Sequence, residues 1–331
     1  MKITVLGAGA WGTAMAIAFA KRHSVYLWGR NPAVMAAMQA ERSNQHALAT
    51  YPFPPQLQAG SDFRAAMEHQ ADAGLLVIAT SVAGLRPTLE LCSQYQPKNL
   101  VWLCKGFEEA SQLLPHQVVQ QVLGTEIAHG ALTGPSFAQE VAKGLPCALT
   151  IASHSSDLAQ QVVSALHGQA MRVYSSTDLI GAEVGGAVKN IMAIATGVAD
   201  GLGLGLNARA ALITRGLAEI TRLAVALGGR AETLTGLAGL GDLILTCTGD
   251  LSRNRRVGLA LAEGKQLAQI VSELGHVAEG VRCAQTVRDL AAQLQIEMPV
   301  TDAVAALLFE DVTAQQMIAR LLMRDARVEG I

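Results

Sequence analysis

The chain has 331 residues, 50 % of them hydrophobic and only 16 % charged, with a net charge of −2. At roughly 150 residues per domain, this length suits two domains, each large enough to close an apolar core. A balance so near neutral, with no long basic run, speaks against a nucleic-acid-binding protein.

The first element, KITVLG from Lys2, reads as an apolar strand and runs directly into GAGAWG. Gly7, Gly9 and Gly12 there form G-x-G-x-x-G. After a strand and before a helix, that spacing predicts a dinucleotide phosphate cradle. The first glycine makes the tight turn, the second lets the backbone approach a pyrophosphate, and the third lets helix and strand pack closely. The competing reading is a glycine-tolerant packing turn. Lys2 and the apolar run up to Ala20 imitate a secretory signal, but the basic start is weak and three glycines interrupt the run, which argues against it.

SVYLWG from Ser24 is the second strand, and in NAD-binding sheets an acid near its end usually binds the ribose hydroxyls. Here Gly29 stands in that place and Arg30 follows. A guanidinium would bind a 2′-phosphate that an acid repels, so NADPH is expected to be accepted and preferred. If Arg30 instead stacks on adenine, NADH stays competitive. Asn31 before Pro32 is a helix start, and YPFPPQ (51–56) reads as an ordered loop. Further strands follow at GLLVIAT from Gly74, NLVWLC from Asn99, IAHGAL from Ile127, CALTIA from Cys147 and MRVYSS from Met171. Apolar strands alternating with helical patterns predict an α/β, Rossmann-type parallel-sheet domain over residues 1–180. Lys105, just past NLVWLC, would face the ligand crevice at the carboxyl ends of the strands; otherwise it is an ordinary surface lysine. In LTGPSFAQE, Gly134 and Pro135 make a turn, and Ser136 on its own reads best as a helix cap.

From Gly181 the pattern becomes helical throughout, which predicts an all-helical C-terminal domain over 181–331. Lys189 lies in GAEVGGAVKNIMAIATGVADG among residues too short to pack a snorkelling stem, so a buried, functional ammonium is expected. Asp242, after a Gly-rich turn, could pair with Lys189 or cap the helix that follows. Ser252, Arg253 and Asn254 form a donor set suited to a phosphate dianion. Arg255 and Arg256 cannot face the same point and are expected to be solvated or paired to acids. The five cysteines form no CxxC and the eight histidines no HExxH, which predicts reduced thiols in a cytoplasmic protein and no metal. The apolar helix is interrupted by Lys189, Asn190 and Asp200, so no membrane span is expected.

These segments closely resemble the bacterial NAD(P)-dependent glycerol-3-phosphate dehydrogenases. They are GAGAWGTA, the KG at Lys105, GPSFAQEVAKGLP, GAEVGGAVKNIMAIATGVADGLGLGLNARAALITRGLAE, GLAGLGDLILTCTGDLSRNRRVG and AEGVRCA. The resemblance spans essentially the whole chain. It implies a dimer that reduces dihydroxyacetone phosphate to sn-glycerol 3-phosphate for phospholipid synthesis, with NADPH or NADH as cofactor. It also implies that the helical domain binds substrate and forms the dimer. Lys189 would be the proton donor and acceptor, and Lys105 would touch both cofactor and substrate. Gly134, Ser136, Asp242, Ser252, Arg253 and Asn254 would line the substrate site. Ala10, Trp11, Arg30, Gly134, Ala138, Arg253, Val277 and Glu279 would lie along the cofactor. Many relatives carry Ser where this chain has Ala10, so a hydroxyl contact there is lost while a backbone N–H contact survives. Two alternatives remain at this point: another two-domain dehydrogenase, of a hydroxyacyl or sugar-acid substrate, and a redox sensor that binds NADPH without turnover.

Overall fold

The computed structural model describes residues 1–71, 74–274 and 278–323. The first part runs β1 (Lys2–Leu6), α1 (Ala10–Ala20), β2 (Ser24–Trp28), α2 (Pro32–Glu41), β3 (Ser43–Asn44), β4 (Leu48–Pro52), β5 (Leu57–Gly60), α3 (Phe63–His69), β6 (Leu75–Ile78) and α4 (Val82–Ser93). It continues with β7 (Asn99–Trp102), α5 (Pro115–Leu123), β8 (Ala128–Thr133), α6 (Ala138–Lys143), β9 (Cys147–Ser153), α7 (Ser156–Leu166) and β10 (Met171–Ser176). The described residues beyond are helical: α8 (Leu179–Gly201), α9 (Gly205–Ala226), α10 (Ala231–Leu234), a π-helical turn (Leu237–Gly241), α11 (Asp242–Thr248), α12 (Arg253–Ala262), α13 (Leu267–Leu274), α14 (Glu279–Gln293), α15 (Pro299–Phe309) and α16 (Ala314–Leu322).

Eight strands form one sheet in the order β10-β9-β8-β7-β6-β1-β2-β5. The seven strands expected from the sequence are all in it; the edge strand β5 and the small antiparallel pair β3–β4 were not foreseen. Pairing is parallel from β8 through β5, as expected of a Rossmann-type sheet, but β8 and β9 are antiparallel. The connection between them, residues 134–146, carries only the six-residue α6, and the chain re-enters the sheet from the edge at which it left. A second correction concerns YPFPPQ: Tyr51 and Pro52 are not loop but the end of β4. Asn31 does cap α2, accepting from the N–H groups of Ala33 and Val34 at 3.1 and 3.2 Å.

Side chains alternate across the sheet with period two, and both faces are covered. Ile3, Val5, Leu75, Val77 and Val101 pack on the α1 side, while Leu6, Leu76, Ile78, Leu100 and Trp102 pack against α4 and α5. α8 is buried along nearly its whole length by the surrounding helices. By length and composition it could cross a bilayer, but 94 % of its apolar stretch is buried inside the protein, as in a core helix of this fold. Its start is fixed by Asp178, whose Oδ1 accepts from the Gly181 N–H at 2.9 Å and whose Oδ2 accepts from the Arg230 N–H at 2.9 Å.

Candidate active site

At the carboxyl edge of the sheet, the turn between β1 and α1 meets the demands of a phosphate cradle. Gly7 has φ +123, and a Cβ there would lie 2.7 Å from the Ala79 carbonyl. A Cβ on Gly12 would lie 2.0 Å from the Gly7 oxygen, so only glycine allows α1 to sit this close. Above Gly9, by contrast, a Cβ would meet no atom within 4 Å. Helix α1 has no side-chain cap and no acid in its first turn. Its first bond is Thr13 N–H to Gly9 O, so the N–H groups ahead of it lack intrahelical partners and suit a pyrophosphate. Asn44, at the end of β3, supports this turn by donating through Nδ2 to the Ala8 carbonyl at 3.0 Å and the Thr13 hydroxyl at 2.8 Å. Nothing in the local pattern marked that residue. Ala10 and Trp11 open α1, Ala138 opens α6, and Arg30 is exposed just beyond β2. Val277 lies outside the described residues.

Lys105, Lys189 and Asp242, remote in sequence, meet in one cluster. Lys189 Nζ donates to Asp242 Oδ1 at 2.5 Å and to the Thr246 hydroxyl at 2.9 Å. Lys105 Nζ donates to the other oxygen, Asp242 Oδ2, at 2.5 Å, with the Gly134 carbonyl at 3.4 Å. The side chains of Lys105, Lys189 and Asp242 are 14 %, 7 % and 2 % exposed. Burial drives the Lys189 pKa down and the Asp242 carboxylate holds it up, while the Lys105 charge lowers it again; the result is about 8. Burial pushes Asp242 the other way, but the two ammonium groups outweigh it and hold the carboxyl below its usual range. Asp242 is thus a carboxylate held between two lysines, one of them with its pKa lowered by burial to about 8. It does not cap α11: it is the first residue of that helix, Gly241 precedes it as the cap, and its oxygens are used by the lysines.

Thr246 and Asn190 belong to this site although the sequence reading did not single them out. Thr246 stands four residues after Asp242, one helical turn along the same face, and its hydroxyl also donates to the Asp242 carbonyl at 2.6 Å. That spacing is the signal that could have found it. Asn190 Oδ1 accepts from Asn254 Nδ2 at 2.9 Å, and Asn190 Nδ2 lies 3.5 Å from Glu279 Oε2. Asn254 Oδ1 in turn accepts from the Gly280 N–H at 2.9 Å. Asn254 thereby ties α8, α12 and α14 together.

Ser252 caps α12, accepting from the Arg255 N–H at 3.3 Å, and is buried, whereas Arg253 is the exposed first residue of that helix. Ser136 is not a cap. Phe137 precedes α6 in the capping position without a side-chain bond, and the Ser136 hydroxyl donates to the Gly134 carbonyl at 3.0 Å, beside Lys105. The five cysteines are all free. Burial pushes the thiols of Cys92, Cys247 and Cys283 up to about 12 and that of Cys104 well above its usual value, so these four stay protonated and are poor nucleophiles. Among the described residues no His, Cys, Asp and Glu cluster could hold a metal. Chemically, then, this is a lysine of lowered pKa on a buried carboxylate, in a chain whose first strand ends in a turn that suits a pyrophosphate.

Comparison with known proteins gives a consistent result. Residues 2–159 match the family model for the N-terminus of NAD-dependent glycerol-3-phosphate dehydrogenase, and residues 178–319 match the model for its C-terminus. The chain is 64 % identical over 329 residues, 99 % of each chain, to a glycerol-3-phosphate dehydrogenase of Janthinobacterium sp. (strain Marseille). It is 64 % identical over 335 residues, 100 % of this chain and 99 % of the relative, to that of Paucimonas lemoignei. The crystal structure of glycerol-3-phosphate dehydrogenase from Coxiella burnetii superposes with a TM-score of 0.92 at 44 % identity, covering 97 % of this chain and 98 % of that one. D-mandelate dehydrogenase, at 12 % identity and a TM-score of 0.60 over 93 % of this chain and 97 % of that one, is similar in fold alone.

Proposed function

Since the chain belongs to the NAD-dependent glycerol-3-phosphate dehydrogenase family, we propose that it interconverts dihydroxyacetone phosphate and sn-glycerol 3-phosphate with NADPH or NADH. The observation that carries the chemistry is Asp242 shared between Lys105 and Lys189. The cofactor supplies the hydride. Gly7, Gly9, Ala10, Trp11 and Gly12 would hold its pyrophosphate, Arg30 its adenosine end, and Gly134, Ala138, Arg253, Val277 and Glu279 the remainder.

As the ketone is reduced, charge develops on its oxygen. Lys189 donates a proton to that oxygen, and Lys105 stabilises the charge beside it. Asp242 keeps both ammonium groups in place and stays ionised throughout. Ser136, Ser252, Arg253 and Asn254 receive the phosphate, so the three-carbon substrate is anchored at one end and its carbonyl is held at fixed reach. A two-part organisation, 1–180 binding dinucleotide and 181–331 binding substrate, belongs to the same proposal. So do a homodimer, a cytoplasmic location and supply of phospholipid synthesis; sedimentation at the mass of one 34.7 kDa chain would reject the dimer.

The test is loss of the 340 nm nicotinamide absorbance on adding dihydroxyacetone phosphate; no loss with either cofactor would leave a binding protein rather than an enzyme. The pH profile adds a sharper check. Reduction needs Lys189 protonated, so its kcat should hold at lower pH and fall above about 8, as the ammonium is lost. Oxidation of sn-glycerol 3-phosphate needs the free amine and should rise through the same range. Parallel profiles in the two directions would remove Lys189 from the proton-transfer role.

Arg30 sets cofactor choice in this reading, because it is the exposed cation where an acid would repel the 2′-phosphate. Arg30→Ala should raise KM for NADPH well above its effect on KM for NADH. Equal losses would mean stacking on adenine instead.

A further inference from the structure

We propose that Asp200 and Arg255 position the phosphate-binding end of the site, by setting the rotation of α12 against α8. This rests on the reading that Arg253 and Asn254 receive the substrate phosphate. Asp200 lies in the last turn of α8, eleven residues beyond Lys189, and its side chain is 7 % exposed. One oxygen, Oδ1, accepts from Arg209 of α9, with Nε at 2.8 Å and Nη2 at 2.7 Å. The other, Oδ2, accepts from Arg255 of α12, with Nε and Nη2 both at 2.8 Å. Each oxygen therefore holds one guanidinium, and three helices meet on one carboxylate.

Arg255 stands two positions after Arg253, about 200° round the helix, so the two side chains leave α12 on different faces. Fixing Arg255 thus fixes where Arg253 and Asn254 are presented. The crossing sets the distance: a Cβ on Gly197 would lie 2.2 Å from the Arg255 carbonyl oxygen, and one on Gly258 would lie 2.1 Å from that of Ile194, so the two backbones touch at these glycines. Directional bonds then add to the angular setting, Asn254 with Asn190 and Arg255 with Asp200. A buried ion pair is a weak source of net stability but can specify one arrangement among several close ones. The outer pair, Arg255 with Asp250 at 3.0 Å, has an acid that is 95 % exposed and adds little.

The experiment compares Asp200→Asn, Arg255→Met and Arg255→Lys with Arg253→Ala and wild type. It measures KM for each substrate, kcat, and the thermal stabilisation given by sn-glycerol 3-phosphate and by NADPH. Asp200→Asn and Arg255→Met should raise KM for dihydroxyacetone phosphate by about 10-fold or more, since small misplacements of anchoring groups have effects of that order. kcat should change far less, and stabilisation by sn-glycerol 3-phosphate should be lost while that by NADPH falls much less, Arg253 being one of several residues assigned to the cofactor. Arg255→Lys should fall between, and it decides by the same split if Arg255→Met does not fold. The proposal is overturned if these variants leave KM for dihydroxyacetone phosphate unchanged while Arg253→Ala raises it. Equal damage to both ligands would also overturn it, because the network would then serve only the fold. If Arg253→Ala itself leaves that KM unchanged, the phosphate reading fails and this proposal falls with it.

Discussion

Lys189→Met should leave a folded protein that binds NADPH nearly as wild type does, with kcat for dihydroxyacetone phosphate lower by about 10²-fold or more, the range for lost acid–base catalysis. Folding should survive because methionine fills similar space in the apolar surroundings of α8, and because Asp242 keeps Lys105 as a partner at 2.5 Å. Without that second lysine the substitution would strand a buried carboxylate, at a cost of about 3–5 kcal/mol. Proton donation should not survive. Lys189 is the group whose pKa, lowered by burial to about 8, suits exchange near neutral pH. Near-wild-type kcat in a folded Lys189→Met protein would move the role to Lys105. Titrating NADPH by its fluorescence separates binding from chemistry.

Arg253→Ala should lower kcat/KM for dihydroxyacetone phosphate by about 10²-fold or more. A guanidinium can grip a phosphate dianion with two parallel charge-assisted bonds, each worth roughly 1.5–3 kcal/mol. Of the three arginines in RNRR, Arg255 is committed to Asp200 and Asp250, and Arg256 Nε donates to the Asp250 carbonyl at 2.9 Å. Arg253 opens the helix on its exposed side, directly after the Ser252 cap. Arg253→Lys keeps the charge but loses the planar fork and should fall between wild type and alanine. Unphosphorylated dihydroxyacetone is the decisive control. Wild type should turn it over very poorly, and Arg253→Ala should barely worsen that residual rate, since the group's partner is already missing. Equal damage to both substrates would mean that Arg253 acts only through the cofactor or the fold.

Most strands and the cradle were legible because their signals are local. Gly7, Gly9 and Gly12 stand at a spacing whose physical consequences hold within a dozen residues, and apolar runs bounded by turns identify buried strands. β5 was not legible, because LQAG is four residues with one large apolar side chain, and its strand state depends on pairing with β2. The reversal at β9 was likewise hidden, since CALTIA reads the same in either direction. Ser136 was legible as a polar residue in a turn, but its bond to Gly134 rather than to α6 depends on how the loop closes.

By itself the sequence determined seven of the eight strands of the sheet, the helical character of the chain beyond Gly181, the glycine turn after β1, and that Lys189 would be an ammonium in apolar surroundings. Those conclusions follow from periodicity, glycine spacing and the mismatch of one charge with its neighbours, all of which are read along the chain. The tertiary structure alone decided that Asp242 is shared between Lys189, 53 residues away, and Lys105, 137 residues away. It also decided that Asn254 bonds to Asn190 across 64 residues and that Arg255 bonds to Asp200 across 55. Desolvation and Coulomb interaction depend on depth and distance, and these are set by the packing of α8 against α11, α12 and α14. No run of neighbouring residues encodes such distances, so the pKa of Lys189 and the orientation of α12 exist only once the core has closed around them.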